Sequence, residues 1–432
     1  MADRKLPWQP PRDSTNVTII PKGTSMNSSR IGRTLAVVTA TALFASACSG
    51  SGTNATQPGN RASSNDPVKI GFIGTTEADA FAFPETAAAA DARVKAVNAA
   101  GGVDGRKLEL ITCNDANDPN TAAACVRQVV DAGVVAVIGG LSQQGDTITA
   151  GLEQAGVIYT GQRPLGPGDY SSSISFPLVG GSASTAAGLG LTAVNDLDCQ
   201  QIVTITGDAP GNRAATKFFN KAVDSAGGKI ASSVVTPSDT TDYSPAGASA
   251  SAADADCILL MMTPPEIARA VPAVRNAAPQ ATLLAPAGAV PPQIVKALGK
   301  MADGMVLGDA QLPVNDKDNA AMARFRDDMA KFGDGASPGS FGLTSWLAAD
   351  NIVNIVEGLE APIDAKAIRE AFEGMTSVDT GGILGDFGFA KPSPVSQQPR
   401  MFNRTYIIST LRDGDYVYDG GSFLDATPAL SS

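Results

Sequence analysis

Histidine is absent from all 432 residues. That removes the Ser/His/Asp and Cys/His nucleophile arrangements, which need an imidazole to carry the proton, and the HExxH metal site, which needs two imidazole ligands. GxxxxGK(S/T) does not occur, GxSxG appears once as GASPG (Gly335 to Gly339) in a chain with no imidazole to serve it, and the loop after the first apolar run reads GTTEAD (Gly74 to Asp79) instead of the GxGxxG of a dinucleotide site. The expectation is a protein that performs no chemistry, with no cofactor and no metal. Positive charge is also scarce: 32 Lys and Arg against 43 Asp and Glu leave a net charge of −11. Nucleic acid selects basic surfaces, so no nucleic-acid partner is expected. An anionic ligand would have to be drawn by a local cation, because the overall field repels it.

A membrane-spanning run is lacking near the N-terminus. Such a helix needs about 20 apolar residues, whereas the run that begins at Leu35 ends early, in Ala45-Ser46-Ala47-Cys48. Met26 opens MNSSRIGRTLAVVTATALFASAC, in which Arg30 and Arg33, an apolar stretch, small residues and Cys48 follow one another. That order is a secretory signal with a lipoprotein cleavage box, although Ala45 stands where Leu is usual. Residues 1–25, aperiodic and containing several Pro, read as an upstream start that the cell need not use. Residues 49–66, rich in Gly, Ser, Asn and Thr, read as a flexible tether.

What is present begins with VKIGFIG (Val68 to Gly74), a short apolar run with β-branched residues, closed by Gly and followed by a polar loop. This is the pattern of a buried strand. The Ala-rich segment Glu85 to Ala100 predicts a helix that Gly101-Gly102 stops. A second strand, RKLELITCND, is followed by Asp118 as N-cap and Pro119 at the first helical position, and then by the strand VVAVIGG. Strands alternating with helices of this length imply right-handed crossovers and a parallel sheet, with ligands beyond the carboxyl ends of the strands. The loops Thr75 to Phe83 and Leu141 to Gly145 therefore form one wall of a site.

NAAGGVDGRKLELITCNDANDPNTAAACVRQVVDAGVVAVIGG (Asn98 to Gly140) resembles the opening lobe of the extracytoplasmic solute-binding proteins of ABC importers, of the leucine/isoleucine/valine-binding type. Three features carry the resemblance: GG-x-x-G after the first helix, a D-x-x-x-D-P break after the second strand, and a strand ending in IGG. In order of elements it extends from about Val68 to Gly420. It implies an α/β type I periplasmic-binding-protein fold, with two doubly wound Rossmann-like lobes joined by a three-stranded hinge. The corresponding segments are 1–47 for the signal region, 48–66 for the tether, 67–177 and 313–386 for lobe 1, and 178–312 and 387–425 for lobe 2. GVIYTG is read as the fourth strand, QRPLGPGDYSSS as an irregular loop rich in Gly and Pro, and Thr344 to Glu360 as a lobe 1 helix.

Once Cys48 is assigned to lipid, Cys113, Cys125, Cys199 and Cys257 remain, and three pairings are open. Topology favours Cys113 with Cys125 inside one lobe and Cys199 with Cys257 inside the other. In amino-acid-binding members, the resemblance implies, a hydroxyl after the third strand and a Thr after the fourth hold the ligand carboxylate, while a second-lobe acid pairs with the amine. Ser142 in GGLSQQG matches the hydroxyl. Leu165 stands in the place of the Thr, and Ala287-Gly288 in the place of the acid. Pro210 and Thr263-Pro264 stand where Tyr covers are expected. An unpaired buried ammonium is costly by several kcal/mol, so a branched-chain amino acid is the alternative and not the leading reading.

The candidate ligand contacts are Thr76, Phe81, Ser142, Gln143, Arg163, Asp208, Thr263 and Ala287. Arg163 is the one loop cation among these cleft positions. It suits carboxylate capture, and equally suits a solvated or lobe-bridging role with Asp169 or Asp208. Ser142 also fits a helix N-cap, and Phe81 and Phe83 also fit the core. Glu77 and Asp79 are the carboxylates near this wall and read as solvated loop residues.

Together these readings give a monomeric solute receptor, held to the outer face of the cell membrane by lipid on Cys48. It binds a small, mostly apolar organic molecule, with carboxylic acids among the candidates, and its partners are an ABC permease and ATPase. A sensing module serving a signalling partner is the alternative class. The signal makes a direct prediction: protein extracted from membranes begins at Cys48 and carries lipid mass there. Mass spectrometry of the N-terminal peptide checks it, and an unmodified N-terminus upstream of Cys48 refutes it.

Overall fold

Apolar strands followed by small-residue helices build two parallel sheets. The computed structural model describes residues 66–78, 82–360, 362–418 and 422–431, so the signal, Cys48, most of the tether and Phe81 lie outside the described residues. The first sheet comes from β1 (Val68–Gly74), α1 (Pro84–Ala99), β2 (Leu108–Asn114), α2 (Pro119–Asp131), β3 (Ala136–Gly139), α3 (Gly145–Ala155), β4 (Tyr159–Thr160), α4 (Pro167–Ser171) and β5 (Ser175–Phe176). Its strand order is β2-β1-β3-β4-β5, all parallel. Six of the seven β1 residues are buried, as a central strand covered on both faces requires. Ile70 and Phe72 pack toward α1, while Ile73 on the other face meets the apolar side of α2 and α3.

Local chemistry sets the helix ends. Asp118 accepts from Thr121 N at 2.8 Å, and Pro119 opens α2. Gly102 (φ +85°) turns the chain after α1 so tightly that a Cβ there would fall 2.0 Å from Arg106 O. The loop expected to be irregular contains α4, because Pro167 presets the first turn and Asp169 at the third helical position accepts from Gly166 N at 3.0 Å. This local cap outweighs the glycines around it.

The second sheet follows from α5 (Gly181–Asn195), β6 (Ile202–Gly207), α6 (Pro210–Ser225), β7 (Ile230–Thr236), α7 (Ser244–Ala252), β8 (Cys257–Met261), α8 (Pro264–Ala277), β9 (Thr282–Pro286), α9 (Pro292–Leu298) and β10 (Val306–Asp309). The chain then returns to the first sheet with α10 (Ala320–Phe332), α11 (Ser340–Gly358) and α12 (Ala365–Gly374), whose Phe325, Trp346 and Phe372 share a core with Ile70 and Phe72. α11 begins four residues before the expected Thr344. Last come β11 (Thr405–Arg412), β12 (Asp415–Val417), β13 (Leu424–Asp425) and α13 (Thr427–Ser431). The second sheet runs β12-β11-β10-β9-β8-β6-β7, with β13 beside β11 and with β11 antiparallel to β10. Three segments carry the chain between the sheets, and hydrogen bonds tie them together. Leu312 N donates to Ile383 O at 2.9 Å, and Asn403 Nδ2 donates to Leu178 O at 2.9 Å.

Charges are buried where α1, α10 and α11 meet. Arg93 Nη2 lies 2.7 Å from Asp350 Oδ1, and Arg324 Nη2 lies 2.9 Å from Asp350 Oδ2. Both guanidinium carbons sit over the Trp346 ring, 5.5 and 5.2 Å from its centre. Trp346 Nε1 donates to Asp328 Oδ2 at 2.9 Å. Removing Asp350 leaves the mostly buried Arg93 with Asp328 alone, at 3.6 Å, while the half-exposed Arg324 can turn to water, so Asp350→Ala is expected to lower stability by about 3 kcal/mol. Urea unfolding followed by tryptophan fluorescence measures this, and a loss under about 1 kcal/mol would mean the pair is worth no more than a surface bridge.

Candidate functional site between the two sheets

A buried carboxylate organises the loops at the carboxyl edge of the first sheet. Asp115, just after β2, accepts from Thr75 Oγ1 at 2.6 Å, from Asn117 N at 2.9 Å and, at very short range, from Ser142 Oγ. The same Ser142 oxygen accepts from Gln144 N at 2.9 Å. Its proton and a lone pair are thus both used inside the protein. The expectation that Ser142 donates to a ligand carboxylate gives way to its other reading, a support for the turn into α3, whose first helical residue is Gly145. Thr76 N donates to Asn114 Oδ1 at 3.0 Å, and exposed Gln143 accepts from Asn117 Nδ2 at 3.3 Å. Thr76, Ser142 and Gln143 therefore do share one edge, held together by Asn114, Asp115 and Asn117.

Beside this edge, a cavity of about 650 Å³ opens between the sheets against the connecting segments. From the first sheet's side it is walled by Phe83 and Glu85 at the start of α1 and by Phe341 at the start of α11. From the other side come Pro264, Ala287, Gly288 and Tyr416. Phe83 and Phe341 meet edge to face, with ring centres 5.1 Å apart. Asp309, the last residue of β10, also lines the cavity and accepts from Ser340 Oγ at 2.8 Å and from Ala310 N at 2.7 Å. Arg163 Nη2 lies 3.4 Å from Asp309 Oδ1, and its guanidinium carbon lies 4.9 Å from the centre of the Phe341 ring. The lobe-bridging role read for Arg163 is realised with Asp309, and with neither Asp169 nor Asp208. Nη2 is engaged in this way, while the buried Nε of the same guanidinium has no hydrogen-bond partner.

The remaining candidates divide. Ala287 lines the cavity. Thr263 N and Oγ1 both donate to Glu266 Oε2, at 2.8 and 2.6 Å, so this exposed residue caps α8 while its neighbour Pro264 faces the cavity. Asp208, largely exposed, pairs with Arg213 in the first turn of α6. Phe81 and Cys48 lie outside the described residues. Cys113 is bonded to Cys125 and Cys199 to Cys257. Among the described residues, Cys199, Cys257 and Asp256 are the one grouping close enough to hold a metal, and its two sulfurs are taken by their mutual bond.

Sequence reasoning missed Glu85, Asp309, Phe341 and Asp115. Glu85 carried a signal, as a carboxylate in the first turn of a helix that starts at the predicted site loop. Asp309 and Phe341 carried none, because their place at the cavity depends on the second and third passages of the chain between sheets.

Two doubly wound sheets with a cavity between them, set against three connecting segments, leave a cleft of a size for a small solute. A family profile described as periplasmic binding protein matches residues 67–406, and the chain belongs to that family. No curated protein matches it by sequence. Solved structures share the fold. An extracellular ligand-binding receptor from Verminephrobacter eiseniae is 21% identical with a TM-score of 0.69, over 82% of this chain and 100% of that one. LivJ from Streptococcus pneumoniae, the substrate-binding protein of a branched-chain amino acid transporter, solved with isoleucine, is 17% identical with a TM-score of 0.67, over 83% and 99%. An ABC-transporter solute-binding protein from R. palustris, solved with 4-hydroxybenzoate, is 16% identical with a TM-score of 0.68, over 84% and 98%. Among the described residues no helix is long and apolar enough to cross a membrane.

The loop that carries Arg163 is held by a carboxyl group whose environment is unusual. Asp169 is 2% exposed and accepts from Leu165 N and Gly166 N, each at 3.0 Å. Burial pushes its pKa up to about 6, against the lowering effect of those two bonds. With the folded value above the unfolded one, the folded state holds more protons between pH 4 and 6, and stability from this group is lost as pH rises through that window. Two units correspond to about 3 kcal/mol at most. Asp169→Asn, which keeps an acceptor oxygen without the charge, is expected to remove this fall. Thermal unfolding of both proteins from pH 4 to 7 checks it: the stability difference should grow with pH in favour of the variant, and a constant difference refutes the assignment.

Proposed function

We propose that the chain is the lipid-anchored solute-binding component of an ABC importer, capturing a small, mostly apolar organic solute between its lobes and handing it to a permease. The observation that carries this reading is the cavity itself, which is large enough for a compact organic molecule and lined mainly by prolines, three aromatic rings and backbone. The lobe boundaries read from the sequence, 67–177 with 313–386 and 178–312 with 387–425, put one wall of the cavity on each lobe, so that hinge closure would bury the solute. Isoleucine in LivJ and 4-hydroxybenzoate in the R. palustris protein are ligands of the same size class. Where the resemblance leads one to expect an acid for an amino-acid ammonium, Ala287 and Gly288 line the cavity. The branched-chain amino acids are accordingly poor candidates at that position.

A thermal-shift screen against a metabolite library tests the reading. A solute that binds the folded state alone stabilises it by about 2.7 kcal/mol at 100 times its dissociation constant. Hits are expected among apolar molecules of six to a dozen heavy atoms, and Phe341→Ala should abolish their shifts. A library that shifts nothing, or hits indifferent to Phe341→Ala, overturns the proposal.

A further inference from the structure

The charge around the cavity does not balance. Among the described residues that line it there are two carboxylates, Glu85 and Asp309, and no Lys or Arg. Asp309 is already matched by Arg163, Ser340 Oγ and a backbone N–H. Glu85 has its own backbone N–H and no side-chain partner. It sits partly buried at the start of α1, and among the described residues no other side chain bonds to its carboxylate. Burial raises its pKa above the usual carboxylate value, opposed by its own backbone N–H. The cavity it lines is also walled by rings: Phe83 and Phe341, edge to face, the latter with the Arg163 guanidinium 4.9 Å from its centre, and Tyr416.

A partly buried carboxylate in a cavity walled by aromatic rings is an environment that a cation completes, through a charge-assisted hydrogen bond to the one and the ring faces of the others. A carboxylate ligand would meet the opposite: one unmatched negative charge, no lining cation, and a protein whose net charge of −11 repels it at long range. We propose that the solute carries a single cationic nitrogen, a primary or substituted ammonium on an apolar skeleton, and that Glu85 is the residue that reads it. This rests on the solute-binding reading above. It puts the counter-charge on the first lobe's leading helix, 202 residues before the Ala287-Gly288 stretch where the family resemblance looks for one.

The test uses matched triplets of arylalkyl and cycloalkyl compounds, each skeleton presented as an amine, an alcohol and a carboxylate. They are titrated calorimetrically into the full-length chain and into Glu85→Gln, with circular dichroism to show that the variant is folded. The expected result is that the amine of the best-fitting skeleton binds at least tenfold more tightly than the alcohol and that the carboxylate binds worst. Glu85→Gln should erase the amine's advantage while changing alcohol affinity by less than twofold. A Glu85→Asp variant, which keeps the charge on a shorter stem, should retain a measurable amine preference. If alcohols or carboxylates bind best, or the amine preference survives Glu85→Gln, the inference is overturned while the solute-binding reading stands. If no member of any triplet binds, both fall.

Discussion

One buried carboxylate decides what the cleft wall can be. Asp115 joins the loops that follow the first three strands of the leading lobe, taking a hydroxyl from Thr75 and another from Ser142 and a backbone N–H from its own turn. Burying a carboxyl group with no exposure is unfavourable unless its oxygens are hydrogen-bonded, so these donors are committed to it. The loops gain a fixed relative position and lose their free hydroxyls. A surface that looks in sequence like a ready donor has its hydroxyls bonded within the protein.

The cavity is lined by the helix starts and the connecting segments. Phe83 and Glu85 are placed by the first turn of α1, Phe341 by the first turn of α11, and Asp309 by the last residue of β10 before the chain leaves the second sheet. The packing of α1 against α10 and α11 is anchored by the Arg93, Asp350 and Arg324 ion pairs on the Trp346 ring. The aromatic wall thus inherits its rigidity from a cluster outside the cavity. Arg163 works in the same sense, crossing from the fourth-strand loop to the foot of β10.

The order and kind of elements were legible because their signals are local. β-branched runs, the Asp118-Pro119 start and the Gly102 stop each act within a few residues, and the structure meets them nearly residue for residue. α4 was hidden because a cap made by one Asp outweighed the glycines and prolines that dominate its segment. The site was far less legible. Ser142 carried two local readings that sequence could not separate, and only the approach of Asp115, 27 residues away, decides between them. Arg163 and Asp309 are 146 residues apart, and a chain that passes three times between sheets can bring any of several acids to one cation.

The two disulfides have a consequence for how such a chain matures. Each closes a contiguous stretch, 12 residues for Cys113–Cys125 and 58 for Cys199–Cys257, and each stays within one sheet and its helices. The lobes themselves are interrupted: the first is finished only when α10 to α12 return, the second only when β11 slots beside β10. Each pair can therefore be oxidised in chain order, before the chain has supplied the pieces that close either body. Because neither disulfide joins one body to the other, the stapling of each is independent of how the two are set against one another.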